Sequence, residues 1–361
     1  MIDIVGHFGS RLSYATVTDQ VVRGLLACES LGRVTNLDDK FVDETLAARV
    51  QSERGKKILM IADPRDWLVE AMVGEYGREN VGIFLCPNTN KLSDERQRAC
   101  HMVDRIYTPS RWCASTILDT VFRQERFGMV HVMPLGVDAP FTTGWVDHES
   151  VDNRRSLLHV TTDTFWPGRK GTEELLKAWK LAELNRKARL TVHCLPQLYG
   201  MVHQELGDLD LTDKVTLISA PLRGSTPEEL FELISRHDLL VAPSRSEGFG
   251  IMPLSALVSG TPVLTTAGTG QDEYLGEQDA GVPVLGGWMQ VPTFAADELS
   301  GEDGSAPTIR ADQLAYTLAA GCRFYDDLLA SVKRNQKVQA GWSWWARRAA
   351  WAKSLVDWEE A

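Results

Sequence analysis

VAPSRSEGFGIMPLSALVSGTPVL, Val241 to Leu264, changes character three times, and those changes decide the fold. Apolar Leu239 to Val241 predicts a buried strand, which Pro243 and Ser244 end. Gly248 and Gly250 then let the backbone come close to a ligand before a short helix begins. That helix closes at Gly260 and Pro262 and leads into a second strand of Val263, Leu264 and Thr265. The unit is β-loop-α-β, with the single carboxylate of Glu247 in its loop. Unpaired amides at such a helix start favour an anionic group, so the pattern predicts a phosphorylated, nucleotide-type ligand.

Outward from this unit the chain reads as two α/β halves of alternating short apolar strands and amphipathic helices, the pattern of doubly wound domains. In the first half Ile2 to Val5, Lys57 to Ala62, Val81 to Leu85, Arg105 to Thr108 and Val130 to Met133 read as strands. Helices are expected around residues 17–31, 66–76 and 111–123. The charged stretch Trp145 to Arg155 reads as a linker. In the second half the strands are Leu157 to Thr161, Arg189 to Cys194, Val215 to Ile218, Leu239 to Ala242 and Pro262 to Thr265. Helices lie between them near Thr172 to Leu184, Pro227 to Ile234 and Met252 to Ser259. Pro292 to Pro307, rich in Gly, Ser, Asp and Glu, reads as an exposed loop before a helix starting near Ala311.

At 361 residues and 43% hydrophobic, the chain has material for two sizeable cores. No run of eighteen apolar residues occurs, and the start, MIDIVGHFGSRLS, opens on a strand without a basic leader, so a soluble, cytoplasmic protein is expected. Six cysteines show no paired metal spacing and read as reduced thiols, and Asp208-Leu209-Asp210 sits in a polar loop, so no metal site is expected. A net charge of −11 argues against whole-surface attraction to nucleic acid or anionic lipid. One local exception is the run from 96 to 126, whose six arginines stand against three acids. It reads as a solvated helical face, or as a patch facing an acidic acceptor.

The Val241 to Leu264 signature closely resembles that of the retaining, nucleotide-sugar-dependent glycosyltransferases of family 4, which have the GT-B fold. Proline-serine, Glu-Gly-Phe-Gly, and the small-residue, Gly, Pro, Val ending are all kept; the second motif glutamate is replaced by Ser255. The resemblance implies two Rossmann-like doubly wound domains facing a cleft, an acceptor-binding domain at 1–148 and a nucleotide-sugar-binding domain at 149–335. A closing helix at 336–361 would cross back to the first. Its tryptophans at 342, 344, 345, 351 and 358 are expected to pack across the hinge, an aromatic sugar platform being the other reading. The elements Tyr107 to Ile117 and Val132 to Asp138 also resemble the family's, with Ser110 as a helix cap and Gly136-Val137-Asp138 as a domain boundary.

By the same resemblance Glu247 contacts the donor sugar, while Ser255 stands where a glutamate usually grips the ribose. Arg169 and Lys170, just before a helix, suit a diphosphate and match the cations that stabilise the leaving nucleoside diphosphate. The family arginine lies about five residues before the lysine, at Phe165, so Arg169 substitutes from an adjacent position. Gly248, Phe249, Gly250, Ile251, Ser255, Thr269 and the glycine-loop residue Gly9 would border the donor. The Gly6-His7-Phe8-Gly9 turn lacks the glycine spacing and distal acid of a dinucleotide fingerprint, which excludes a dehydrogenase reading. His7, Asp63, Arg65 and Asn88, on loops after strands, form the expected acceptor face. The implied activity is transfer from a UDP- or GDP-sugar to an acceptor hydroxyl with retention of configuration and without a metal or further cofactor. The acceptor is left open among a small molecule, a glycan and a modified base in DNA, and a catalytically silent sugar-nucleotide-binding module is the alternative that Ser255 raises.

Overall fold

The computed structural model describes residues 1–8, 13–37, 53–123, 126–137, 154–162, 167–220, 227–275, 288–291, 293–298, 305–335 and 341–360. Two compact units are formed. Met1–Gly136 and Trp344–Ala361 belong to the first, Val137–Glu298 and Ala306–Ser343 to the second.

The first unit is a six-stranded parallel sheet of β1 (Ile2–Gly6), β2 (Leu31–Asn36), β3 (Lys57–Ile61), β4 (Val81–Phe84), β5 (Arg105–Thr108) and β6 (Val130–Val132), in the order β2-β1-β3-β4-β5-β6. β1 and β3 are buried along their whole length, which is why they read as continuous apolar runs rather than alternating ones. The one charge in β1, Asp3, is satisfied inside: its carboxylate accepts from the Arg33 and Gly55 amides at 2.5 and 2.7 Å and from the Tyr76 hydroxyl at 2.5 Å. Helices α1 (Ser13–Ala27), α2 (Asp66–Tyr76), α3 (Asp94–Met102) and α4 (Arg111–Ile117) connect the strands. Ser110 caps α4 by accepting from the Cys113 amide. A π-helical turn, Leu118–Phe122, extends α4 until Arg123 turns left-handed at φ 45°.

The second unit repeats the plan with β7 (Arg155–Thr161), β8 (Ala188–Cys194), β9 (Val215–Ser219), β10 (Leu239–Ala242), β11 (Val263–Thr266) and β12 (Trp288–Val291), all parallel, in the order β12-β11-β10-β7-β8-β9. Its helices are α5 (Thr172–Ala182), α6 (Tyr199–Asp208), α7 (Pro227–Ser235), α8 (Ile251–Val258), the single turn α9 (Asp272–Leu275), α10 (Ala311–Arg323) and α11 (Tyr325–Arg334). Its core gathers Trp179, Leu190, Val192, Leu239, Val241, Leu264 and Leu318, so α5 and α10 close over the strands.

The expected loop at Pro292 to Pro307 needs correction: β13 (Thr293–Glu298) and β14 (Ser305–Ile309) pair there as a two-stranded sheet. Polar composition argued for a loop, but strand formation depends on a pairing partner that a single sequence window does not reveal. β2, β12, α3, α6, α9 and α11 also lie outside the elements expected from the sequence. The expected linker lies largely outside the described residues.

The last helix, α12 (Trp344–Glu360), joins the first unit and packs on α1. Gly24 makes the approach possible, since a Cβ there would stand 2.9 Å from Arg348 Cγ and 3.2 Å from its carbonyl. Trp351 is 1% exposed, donates to the Pro134 carbonyl at 3.3 Å and packs on the Phe84 and Tyr107 rings. Lys57 donates to the Trp358 carbonyl, and the Met1 ammonium pairs with Glu359. Trp344, Trp351 and Trp358 are buried packing residues, and Trp342 lies in the second unit against Phe249 and Tyr274. Replacing Trp351 by Ala is expected to cost about 3–5 kcal/mol of stability. A lower urea midpoint measures it, and an unchanged midpoint would show that α12 contributes no docking energy.

Candidate active site

The strand order of the second unit sets the site. From β7 the chain proceeds to β8 on one side, and from β10 to β11 on the other, so the loops at their carboxyl ends part and leave a crevice. The loop after β7 carries Arg169 and Lys170; the loop after β10 carries Glu247. In the structure these three side chains meet. Lys170 Nζ lies 2.6 Å from Glu247 Oε1, and Arg169 Nη1 lies 3.1 Å from Oε2 and donates at 2.8 Å to the Ser246 carbonyl. Each of the three side chains is 12% exposed or less. Burial alone would raise the Glu247 pKa, but the Lys170 and Arg169 charges outweigh it and hold the carboxyl at about 2. A small recess beside the triad is lined by His159, Val160, Lys170, Ser244, Glu247 and Met252, among others.

Both loops are clamped. Gly171 has φ +68°, and a Cβ there would fall 2.1 Å from the Pro243 carbonyl oxygen, so the cation loop rests directly on the loop after β10. The Arg245 amide donates to the Arg169 carbonyl at 2.7 Å, and the Arg245 guanidinium pairs with Glu174 of α5. Fully buried His159 completes the floor: its Nδ1 meets the Val241 carbonyl at 2.9 Å and its Nε2 the Thr172 hydroxyl at 3.0 Å. Those partners require the tautomer that donates from Nδ1 and accepts at Nε2. Burial pushes this imidazole down to about 4, so it is neutral at pH 7.

On the other side the Glu247 amide donates to Thr269 Oγ1 at 3.3 Å, and the Gly270 amide donates to the Glu247 carbonyl at 2.7 Å. The Gln271 amide in turn donates to the Thr266 carbonyl and hydroxyl, each at 2.9 Å, and the Thr266 hydroxyl donates to the Ser244 carbonyl. Gly250, at φ +81°, is the N-cap of α8, and its carbonyl accepts from the Tyr274 hydroxyl at 2.6 Å. Because Pro253 has no N–H, the first turn of α8 offers only the Ile251 and Met252 amides to an anion.

Phe249 is 2% exposed and its ring turns into the core against Tyr274 and Trp342, so only its backbone faces a ligand. Ser255 is 8% exposed, one turn into α8. Thr269 is buried and Gly248 lies under Gly270, whose Cβ position falls 2.0 Å from the Gly248 carbonyl oxygen. In the first unit half-buried His7 follows β1, and Asp63 and Arg65 follow β3. Asp63 accepts from Arg96 at 2.9 Å, and Arg65 pairs with Glu95 at 3.1 Å. Asn88 is exposed beyond β4. Gly9 and Phe165 lie outside the described residues. The arginine-rich run does not form one helical face: Arg96 and Arg98 of α3 pair with Asp63 and Asp66, while Arg105 of β5 bonds His131 and lies over the Trp358 ring. His159, Gln271 and the Arg245–Glu174 pair escaped sequence reading, because none belongs to a motif of fixed spacing. Among the described residues no group of three or more His, Cys, Asp or Glu is placed to hold a metal ion, and no helix is long and apolar enough to cross a membrane. All six cysteines are free thiols.

Residues 166–288 match the family model described as Glycosyl transferases group 1, and all three residues of the triad lie within the matched segment. An MMP alpha-(1->4)-mannosyltransferase of Mycolicibacterium hassiacum is 27% identical over 182 residues, covering 50% of this chain and 41% of the relative. A D-inositol 3-phosphate glycosyltransferase of Corynebacterium aurimucosum is 28% identical over 212 residues, 52% of this chain and 48% of the relative. The chain thus spans less than half the length of these two relatives. The crystal structure of Anabaena Alr3699/HepE in complex with UDP-glucose superposes with a TM-score of 0.67 at 14% identity, covering 99% of both chains. The fold is GT-B, with two Rossmann-like parallel-sheet domains.

Two outcomes follow from the triad and its clamps. Because the folded state holds the Glu247 carboxyl at about 2, below its ordinary 4.5, its stability contribution is full above pH 4.5 and is lost as pH falls towards 2. Urea midpoints measured across that window should fall less steeply for Glu247→Gln than for wild type; parallel curves would mean the triad does not form. Gly171→Ala should cost about 1–3 kcal/mol by forcing a left-handed alanine against Pro243, and a melting temperature equal to wild type would contradict the clamp.

Proposed function

We propose that the protein is a retaining glycosyltransferase of family 4 that moves a sugar from a nucleotide-sugar donor to an acceptor hydroxyl in the cytoplasm. The observation that carries the reading is the buried Glu247–Lys170–Arg169 cluster at the strand-order switch of a Glycosyl transferases group 1 domain. With one carboxylate and two cations, the cluster has an excess positive charge. That excess is suited to the oxygen of a departing nucleoside diphosphate, where negative charge grows in the transition state. The anomeric carbon loses its bond to that phosphate oxygen and gains one to the acceptor oxygen on the same face. A carboxyl held at about 2 is too weak a base to take the acceptor proton at neutral pH, so Glu247 orients the donor sugar through its hydroxyls. The proton passes to the leaving phosphate oxygen. Lys170 and Arg169 supply the charge that a metal would otherwise provide, and no further cofactor takes part.

The donor lies on the second unit, with Gly248, Gly250, Ile251 and Thr269 along the sugar and diphosphate and Ser255 nearest the ribose. The acceptor is held by the first unit, through His7, Asp63, Arg65 and Asn88. UDP-glucose is the first donor to examine, because the Anabaena Alr3699/HepE structure, similar over 99% of the chain, is a complex with it. Ser255 favours one competing reading, a silent sugar-nucleotide-binding module, in which the ribose contact and turnover are both lost.

A thermal-shift panel of UDP-, GDP-, ADP- and dTDP-glucose, followed by slow donor hydrolysis, separates the two. One nucleotide should stabilise the protein and be hydrolysed without change on adding EDTA, the released sugar keeping its anomeric configuration. Lys170→Ala should lower that hydrolysis roughly 100-fold or more. Stabilisation without hydrolysis would leave the silent module, and no shift by any of the four would remove the donor reading altogether.

A further inference from the structure

Among the described tryptophans, Trp179, Trp342, Trp344, Trp351 and Trp358 are at most 4% exposed and Trp112 is half-buried, whereas Trp67 is 69% exposed. Its place is as unusual as its exposure. The order β2-β1-β3-β4-β5-β6 makes β1 and β3 the switch point of the first sheet, since the chain leaves β1 towards one side and β3 towards the other. Ligands of open α/β sheets bind outside the carboxyl ends of the strands at such a point. His7 lies in the loop after β1, and Trp67 lies in the first turn of α2, directly after β3.

The charges on the loop before Trp67 and on the facing start of α3 restrict what this strand end can hold. Arg65 pairs with Glu95 at 3.1 Å and stands 3.9 Å from Asp63; Arg96 pairs with Asp63 at 2.9 Å, and Arg98 with Asp66 at 2.6 Å. Three guanidinium groups thus face three carboxylates, with Asp94 adding further negative charge beside Arg98. Nothing in this set offers the excess positive charge that a phosphate chain needs, which argues against a nucleic-acid acceptor. A guanidinium has five donors and a carboxylate about four acceptor sites, more than one ion pair uses. Fixed polar groups of both kinds at the same strand end as an exposed indole suit a neutral ring with an apolar C–H face and hydroxyls at its edge.

We infer that Trp67 is the stacking platform for a neutral pyranose ring of the acceptor, with Asp63, Arg65 and Glu95 bonding its hydroxyls. The inference rests on the glycosyltransferase reading and narrows its acceptor to a carbohydrate. Saturation-transfer NMR on the full chain tests it, with the methyl glycosides of glucose, mannose, galactose and N-acetylglucosamine, maltose and mannobiose as probes. At least one probe should bind. Trp67→Ala should weaken that binding roughly ten-fold, while Trp67→Phe should keep it within about three-fold. Tyr316→Ala, which removes a 78% exposed aromatic of the second unit, should leave it unchanged. Circular dichroism and a cooperative melt establish that each variant is folded. The inference is overturned if no probe binds wild type, if Trp67→Ala binds as wild type does, or if a single-stranded oligonucleotide binds through Trp67 where the sugars do not. Its failure is distinct from that of the transferase reading. Donor hydrolysis with Trp67-independent acceptors sinks the platform alone; Trp67-dependent saccharide binding without any nucleotide-sugar shift sinks the transferase alone.

Discussion

The contact on which the second unit's site depends is one buried carboxylate shared between two buried cations. Removing three such groups from water costs several kcal/mol for each ion, and their attraction recovers this only with close geometry and further hydrogen bonds. Glu247, Lys170 and Arg169 come from loops 77 and 78 residues apart in sequence, so that geometry exists only if both loops are held. This explains the surrounding density of backbone restraints. The left-handed Gly171 against Pro243, the Arg245 amide on Arg169 and the Thr269–Gln271–Thr266 relay each fix a loop that would otherwise relax and separate the charges.

The same arrangement determines what the carboxylate can do. A glutamate alone in this burial would carry a raised pKa and serve as a general acid or base; with two cations beside it, the proton is lost at about 2. The cations outnumber the carboxylate within this cluster by one. His159 strengthens the same logic, because a neutral imidazole beside Lys170 adds no third positive charge to the cluster.

What the sequence made legible was whatever is local. The strand, the turn glycines and α8 within Val241 to Leu264 all stand where the apolar run, Pro243 and Gly260 indicate, and the Arg169-Lys170-Gly171-Thr172 turn opens α5 as its composition requires. Contacts between distant segments stayed hidden. Nothing in the spacing of His159 and Thr172 reveals their hydrogen bond, and β13 and β14 became strands only through each other. The arginines of 96–126 looked like one face because they are close in sequence. The fold distributes them over two helices, a strand and a turn, and gives Arg96 and Arg98 carboxylate partners on the preceding loop and helix.

Each sheet has one switch point, and the two crevices are built to opposite electrostatic specifications. At β7 and β10 the charged groups are buried, and their sum is positive. At β1 and β3 they are substantially exposed and balanced, with side-chain exposures from 28% to 59%. A diphosphate needs an uncompensated positive charge in a poorly solvated place, where each contact is worth most. A neutral sugar gains nothing from such a field; it needs donors and acceptors in equal supply, and solvent access so that its hydroxyls lose few hydrogen bonds on arrival. The same doubly wound plan, used twice, therefore presents two electrostatically different strand ends through the residues on their loops alone.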